Sequence, residues 1–69
     1  MYEDKHEICR RLFHTLRATA NCYDLLSLTY DDKEEIVYAE FIGGYIRRIN
    51  VAADSGTAFI RDVMRYLGV

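Results

Sequence analysis

Hydrophobic residues recur every three or four positions in the first third of the chain. They are Ile8, Cys9, Leu12, Phe13, Leu16 and Ala20. This spacing is the period of one helical face, so we predict a first helix over residues 3–20. Acidic residues lie in its first turns and basic ones later, which suits the helix dipole and lets Glu7 pair with Arg10 or Arg11. Asn21 is predicted to end the helix in a left-handed cap.

The hydrophobic spacing then shortens to two residues, which is typical of a β-strand. Leu26, Leu28 and Tyr30 alternate with Leu25, Ser27 and Thr29. We therefore predict a first strand over residues 23–30, followed by a charged turn. Residues 36–42 and 45–52 are rich in β-branched and aromatic side chains, and the two glycines between them predict a hairpin.

Two registers of this hairpin are compatible with the sequence. A two-residue Gly43-Gly44 loop would place Glu40 opposite Arg47 and would group Ile36, Tyr38, Ile49 and Val51. A three-residue loop, with Gly44 left-handed, makes an inner set of Val37, Ala39, Phe41, Tyr45, Ile49 and Val51 and turns Tyr38, Glu40, Arg48 and Asn50 outward. We favour the longer loop because it separates apolar from polar side chains more cleanly, although the stem of Arg47 must then reach the rim.

Helical spacing returns in the last part of the chain. Its apolar positions are Phe59, Ile60, Val63, Met64 and Leu67, and Asp54-Ser55-Gly56-Thr57 precedes them with capping oxygens. The order of elements predicts one α+β domain over residues 1–69, in which helix, three-stranded antiparallel meander and helix follow one another. Both helices are expected on one face of the sheet, with the other face open to solvent.

Composition limits how stable such a domain can be. The chain has 69 residues, of which 51% are hydrophobic and 29% charged, enough for one folded core. Domains of this size seldom gain more than about 3–5 kcal/mol from a core alone. If Cys9 and Cys22 lay on one continuous helix, they would be about 20 Å apart, beyond the reach of a disulfide, and we expect both to be reduced. We therefore expect extra stabilisation from a homodimer or from a larger partner.

Charge and hydropathy bear on location. The net charge is −2, the first residues are acidic, and no apolar run approaches the length of a membrane span. We expect a cytoplasmic protein that does not bind membranes, and the weak negative charge does not favour general nucleic-acid binding.

The residues that could carry chemistry do not form a recognised motif. His6, His14, Cys9 and Cys22 show neither a C-x-x-C pair nor two histidines four residues apart, so no metal site is predicted. No nucleophile stands beside a base, and we expect neither an enzyme nor a cofactor. The segment 54–57 lacks the lysine of a phosphate-binding loop and is interpreted as a helix cap.

The outer face of the sheet is the predicted partner-binding surface. It would carry Ile36, Tyr38, Glu40, Ile46, Arg48 and Asn50, together with Leu25. This mixture of apolar, aromatic and charged side chains is typical of protein interfaces. The competing interpretation is a sheet face shielded by the chain ends.

A basic flank of the first helix suggests an alternative, a small nucleic-acid-binding regulator. The residues concerned are Arg10, Arg11, His14 and Arg17. They could follow a row of phosphates, but the more ordinary interpretation is a solvated flank whose charges pair with Glu7 and its neighbours.

Part of the chain resembles known sequences. Phe41-Ile42-Gly43-Gly44-Tyr45, followed by the stretch 48–56, resembles a segment of small uncharacterised proteins encoded by phages and mobile elements of Gram-positive bacteria. The order of elements is also similar to that of some small anti-CRISPR inhibitors. The resemblance implies a hairpin leading into a capped helix and a mobile-element origin. It favours an accessory or counter-defence protein that inhibits or adapts a larger host protein, and a sponge for a small signalling nucleotide is a further possibility of this class.

Overall fold

The computed structural model of the chain describes residues 4–52 and 56–68. The elements in that part of the chain are α1 (Lys5–Arg17), β1 (Leu25–Asp31), β2 (Ile36–Phe41), β3 (Tyr45–Asn50) and α2 (Gly56–Tyr66). The strands form one antiparallel sheet in the order β1-β2-β3, and α1 packs against it through β1. The predicted α+β fold, a meander flanked by two helices, is confirmed.

Helix α1 begins at a side-chain cap and ends earlier than its hydrophobic pattern predicts. The carboxylate of Asp4 accepts the N–H groups of His6 and Glu7 at 3.0 and 3.4 Å, which satisfies donors that a helix start leaves open. At the other end the hydroxyl of Thr19 donates to the Leu16 carbonyl at 2.7 Å. The Leu16 carbonyl is thus satisfied by a side chain, which favours ending the helix over adding another turn.

The predicted left-handed cap at Asn21 is wrong. Among the described residues the one non-glycine position with positive φ is Glu35. The side-chain amide of Asn21 instead donates to the carbonyl of Gly68. Asn21 therefore ties the loop after α1 to the end of α2.

A β-bulge in β1 corrects the predicted orientation of Leu25. Leu25 pairs with Phe41 and Ser27 with Glu40, so Leu26 is an extra residue without a partner on β2. An extra residue changes which face the residues before it occupy. Leu25, expected on the outer face, is instead 1% exposed in the core.

The hairpin has the three-residue loop that we favoured. Phe41 pairs with Tyr45, Tyr38 with Arg48 and Val37 with Ile49, and the Gly44 N–H donates to the Phe41 carbonyl at 3.2 Å. Gly44 has a φ of 86° and Gly43 one of 95°, which few L side chains adopt. Arg47 is on the helix side of the sheet and exposed, as its long stem allows.

The buried side chains of both helices and all three strands form one cluster. Its fully enclosed members include Leu16 from α1, Val37 from β2 and Phe59 from α2. The ring of Phe59 meets that of Tyr30 edge-on, with centroids 6.0 Å apart. This leaves the opposite face of the sheet for solvent. Asp54 and Ser55 of the predicted cap lie outside the described residues.

Candidate functional site

Strand pairing arranges the outer sheet face in three rows. Residues directly opposite one another in an antiparallel sheet point to the same side. The rows are Ser27–Glu40–Ile46, Thr29–Tyr38–Arg48 and Asp31–Ile36–Asn50. The sheet thus brings all six predicted partner-binding residues of β2 and β3 onto one face.

These side chains differ in exposure, and the two apolar ones on β2 are more buried than the residues on β3. Ile36 and Tyr38 are half-buried, whereas Glu40, Arg48 and Asn50 are exposed and Ile46 retains 57% of its accessible surface. A polar rim around partly covered apolar groups is the usual anatomy of a protein interface. The competing interpretation of this face, shielding by the chain ends, concerns residues 1–3 and 69, which lie outside the described residues.

Local hydrogen bonds hold several polar groups of this face in place. The Tyr38 hydroxyl donates to Glu34 Oε1 at 2.8 Å, and this bond is the main reason that the pKa of the phenol is raised. The Ser27 hydroxyl donates to Glu40 at 3.4 Å, and Asn50 Oδ1 accepts the Ala52 N–H at 3.0 Å. Side chains fixed in this way lose less entropy when a partner binds.

A second exposed cluster, which the sequence analysis missed, lies where the hairpin loop meets the end of α2. Tyr45 was assigned to the inner set; it lies on that side but is 72% exposed, because it lines an open groove instead of the core. The groove has a volume of about 640 Å³ and is also lined by Arg47, Tyr66 and Leu67. Tyr66 is itself 53% exposed. The sequence did offer one sign of this cluster, because Tyr66 is an aromatic residue that lies outside the apolar stripe of α2.

The basic residues of α1 are engaged within the helix. Glu7 binds the Arg10 guanidinium through Nε at 3.2 Å and that of Arg11 at 3.1 Å. These bonds lower the pKa of the Glu7 carboxyl, and the bond from Arg10 contributes most to the shift. Arg17 lies over the Phe13 ring, 5.5 Å from its centroid, and His14 meets the same ring edge-on. The guanidinium groups of Arg10 and Arg11 nevertheless stay largely exposed, at 69% and 79% of their side-chain surface.

The two cysteines belong to the hydrophobic core. Both are free and buried, and burial raises the pKa of the Cys9 thiol to about 11, which keeps it protonated and a poor nucleophile at neutral pH. Cys22 lies beyond the end of α1, so the one-helix condition for a separation of about 20 Å does not hold. Its thiol lies 3.9 Å from the Leu67 carbonyl oxygen. Over residues 4–52 and 56–68 no three His, Cys, Asp or Glu side chains are grouped to hold a metal ion.

Comparison with protein-family models, with curated proteins and with solved structures found no match to this chain. In the described part of the chain, neither helix has the length and apolar character needed to cross a membrane.

Proposed function

We propose that this chain is a non-enzymatic protein-interaction module that binds a larger host protein, or a second copy of itself, through the outer face of its sheet. The observation that carries the proposal is the three-row face, on which Tyr38 and Ile46 stand among Glu40, Arg48 and Asn50. Tyrosine and arginine are the residues that most often dominate binding energy at interfaces.

The size of the core supports the same proposal. A single cluster of buried side chains in a chain of this length provides little stability on its own. A partner that binds the folded state alone adds to that stability. From the resemblance of the hairpin segment to phage and mobile-element proteins, we further propose that this module is a cytoplasmic accessory or counter-defence protein.

The test is a double substitution, Tyr38→Ser with Arg48→Ser, compared with a matched pair elsewhere. Tyr23→Ser with Arg61→Ser removes one tyrosine and one arginine that lie outside the outer face, both exposed, whereas Tyr38 is half-buried. Circular dichroism should show that both variants remain folded. We expect the wild type and the matched variant to retain partner capture or dimerisation, measured by affinity pull-down and light scattering, and the Tyr38/Arg48 variant to lose it by about tenfold or more. Equal assembly by all three would reject this surface, and a monomeric wild type that captures no protein would reject the interaction role.

A further inference from the structure

Strand β3 forms one edge of the sheet, and its pairing fixes which backbone groups face outward. The Val51 N–H donates to the Glu35 carbonyl at 3.1 Å. Hydrogen-bonded pairs alternate along an antiparallel ladder, so Ile49 and Arg47 also direct their backbone groups toward β2. The N–H and C=O groups of Ile46, Arg48 and Asn50 therefore point away from the sheet.

The flank of this edge is open. Every residue of β3 except Ile49 is exposed. Two grooves lie between β3 and α2, and they share Tyr66 as a common wall. Every residue of β3 except Arg48 lines one of them, α2 adds Asp62 and Arg65, and Asp24 lines the groove that contains Arg47. In an extended chain laid along the edge, every second side chain would lie above this aromatic and charged lining.

The two charged residues of β3 are arginines, although Asp24 and Asp62 line the grooves beside them. Across the sheet Arg47 faces Ala39 and Arg48 faces Tyr38. The ion pairs found over residues 4–52 and 56–68 involve the acids Glu7, Asp32 and Asp62, and neither Arg47 nor Arg48 takes part in one. Asp62, beside the groove, is instead 3.6 Å from Arg61.

The same two arginines oppose pairing of β3 with its own copy. A two-fold arrangement centred on the middle of the strand would set Arg47 or Arg48 directly against its counterpart. Like charges opposite one another destabilise a pair of strands, and charged edge residues are a common protection against self-association. A strand with carboxylates at those positions meets attraction instead.

We propose that the β3 edge binds an acidic, extended segment of a partner protein as a fourth strand of the sheet. The inference rests on the proposed function and names the class of partner. Main-chain hydrogen bonds to Ile46, Arg48 and Asn50 provide affinity, and carboxylates facing Arg47 and Arg48 provide selectivity. A polypeptide fits this site better than a nucleic acid because the outward N–H and C=O groups match those of another strand.

The experiment begins with a library of displayed random peptides selected on the wild-type protein. We expect enriched sequences with two acidic residues at adjacent positions, because Arg47 and Arg48 point to opposite faces of the sheet and the residues facing them in a fourth strand are consecutive. The tightest peptide is then synthesised, and its binding is measured by fluorescence anisotropy. Replacing both arginines, R47E with R48E, should weaken binding by about tenfold or more.

A matched pair at one position isolates the main-chain contact. Ile46→Pro removes an outward N–H without breaking the ladder to β2, and Ile46→Ala removes the side chain while keeping that N–H. We expect the proline variant to bind about tenfold more weakly than the alanine variant. If the proline variant does not fold, the same hydrogen bonds are tested by N-methylation of alternate backbone amides of the synthetic peptide. This methylation should weaken binding, because it removes the N–H groups that the peptide donates to β3.

The outcomes separate this inference from the proposed function. Enriched peptides without acidic excess, or equal binding by the proline and alanine variants, would overturn the edge site. The edge site would also be overturned if a single-stranded oligonucleotide displaced the peptide, or if the protein formed a dimer that Ile46→Pro abolishes. Assembly that depends on Tyr38 but is unaffected by Ile46→Pro would retain the proposed function and reject only the edge.

Discussion

Tyr38 is the residue of the outer face whose ionisation reports on the structure. Its hydrogen bond to Glu34 raises the pKa of the phenol above its ordinary value. Because the folded pKa is the higher one, the bond contributes stability below the phenol pKa of the unfolded chain, about 10. That contribution is lost as pH rises through the folded pKa. We expect Glu34→Ala to return the phenol toward its ordinary pKa and to reduce this alkaline loss of stability.

Phenolate absorbance during an alkaline titration measures this effect. The chain has six tyrosines, so the signal of Tyr38 is the difference between each protein and its Tyr38→Phe counterpart. Asp32→Ala removes a different exposed carboxylate from the same turn and serves as the control. A Tyr38 pKa that is the same in the Glu34 and Asp32 variants would contradict the assignment.

At the residue scale, the sequence predicted correctly which face of the sheet the side chains of β2 and β3 occupy, because that depends only on the alternation of residues along a strand. Tyr38, Glu40, Arg48 and Asn50 were placed on one face because the loop length fixes the register, and the structure has that register. Tyr45 could not be judged in the same way. Whether an inward position is covered depends on how far α2 extends over the sheet, which is a tertiary property.

At the scale of elements, the strands and helices were predictable and their irregularities were not. The hydrophobic period identified each element, but a bulge at Leu26 interrupts β1, and α1 ends at Arg17 although its apolar pattern continues to Ala20. Both departures depend on interactions that periodicity does not encode. One is pairing to β2, and the other is the hydroxyl of Thr19 competing for a helix carbonyl.

The hairpin loop provides a test at the same scale. Gly44 has a φ of 86°, and a Cβ added there would have no atom within 4 Å, so a substitution acts through the backbone alone. We expect Gly44→Ala to lower the free energy of unfolding by about 1–2 kcal/mol. Gly44→Asn should cost less, because asparagine tolerates this conformation better. Urea unfolding measures both, and equal stability of the alanine variant and the wild type would contradict the strained turn.

At the scale of the whole molecule, the two helices are joined through shared contacts and not through the sheet alone. Lys5 of α1 lies 5.6 Å from the centroid of the Phe59 ring on α2, and that ring packs on Tyr30 of β1. The Asn21 amide binds the Gly68 carbonyl at the other end of α2. These contacts lead us to expect that α2 and the sheet unfold together, as the predicted single domain requires.

Phe59→Ala tests that cooperativity directly. Phe59 is 0% exposed, and truncating a buried phenylalanine costs about 3–5 kcal/mol, comparable with the whole stability expected of so small a core. We therefore expect the native amide NMR signals to disappear along the entire chain, including those of β2 and β3, although Phe59 lies on α2. Tyr66→Ala, which truncates a ring on the exposed side of the same helix, should leave that spectrum native. If the Phe59 variant loses only the signals of α2, while the strands keep their native shifts and hydrogen-exchange protection, α1 and the sheet form a separately stable unit.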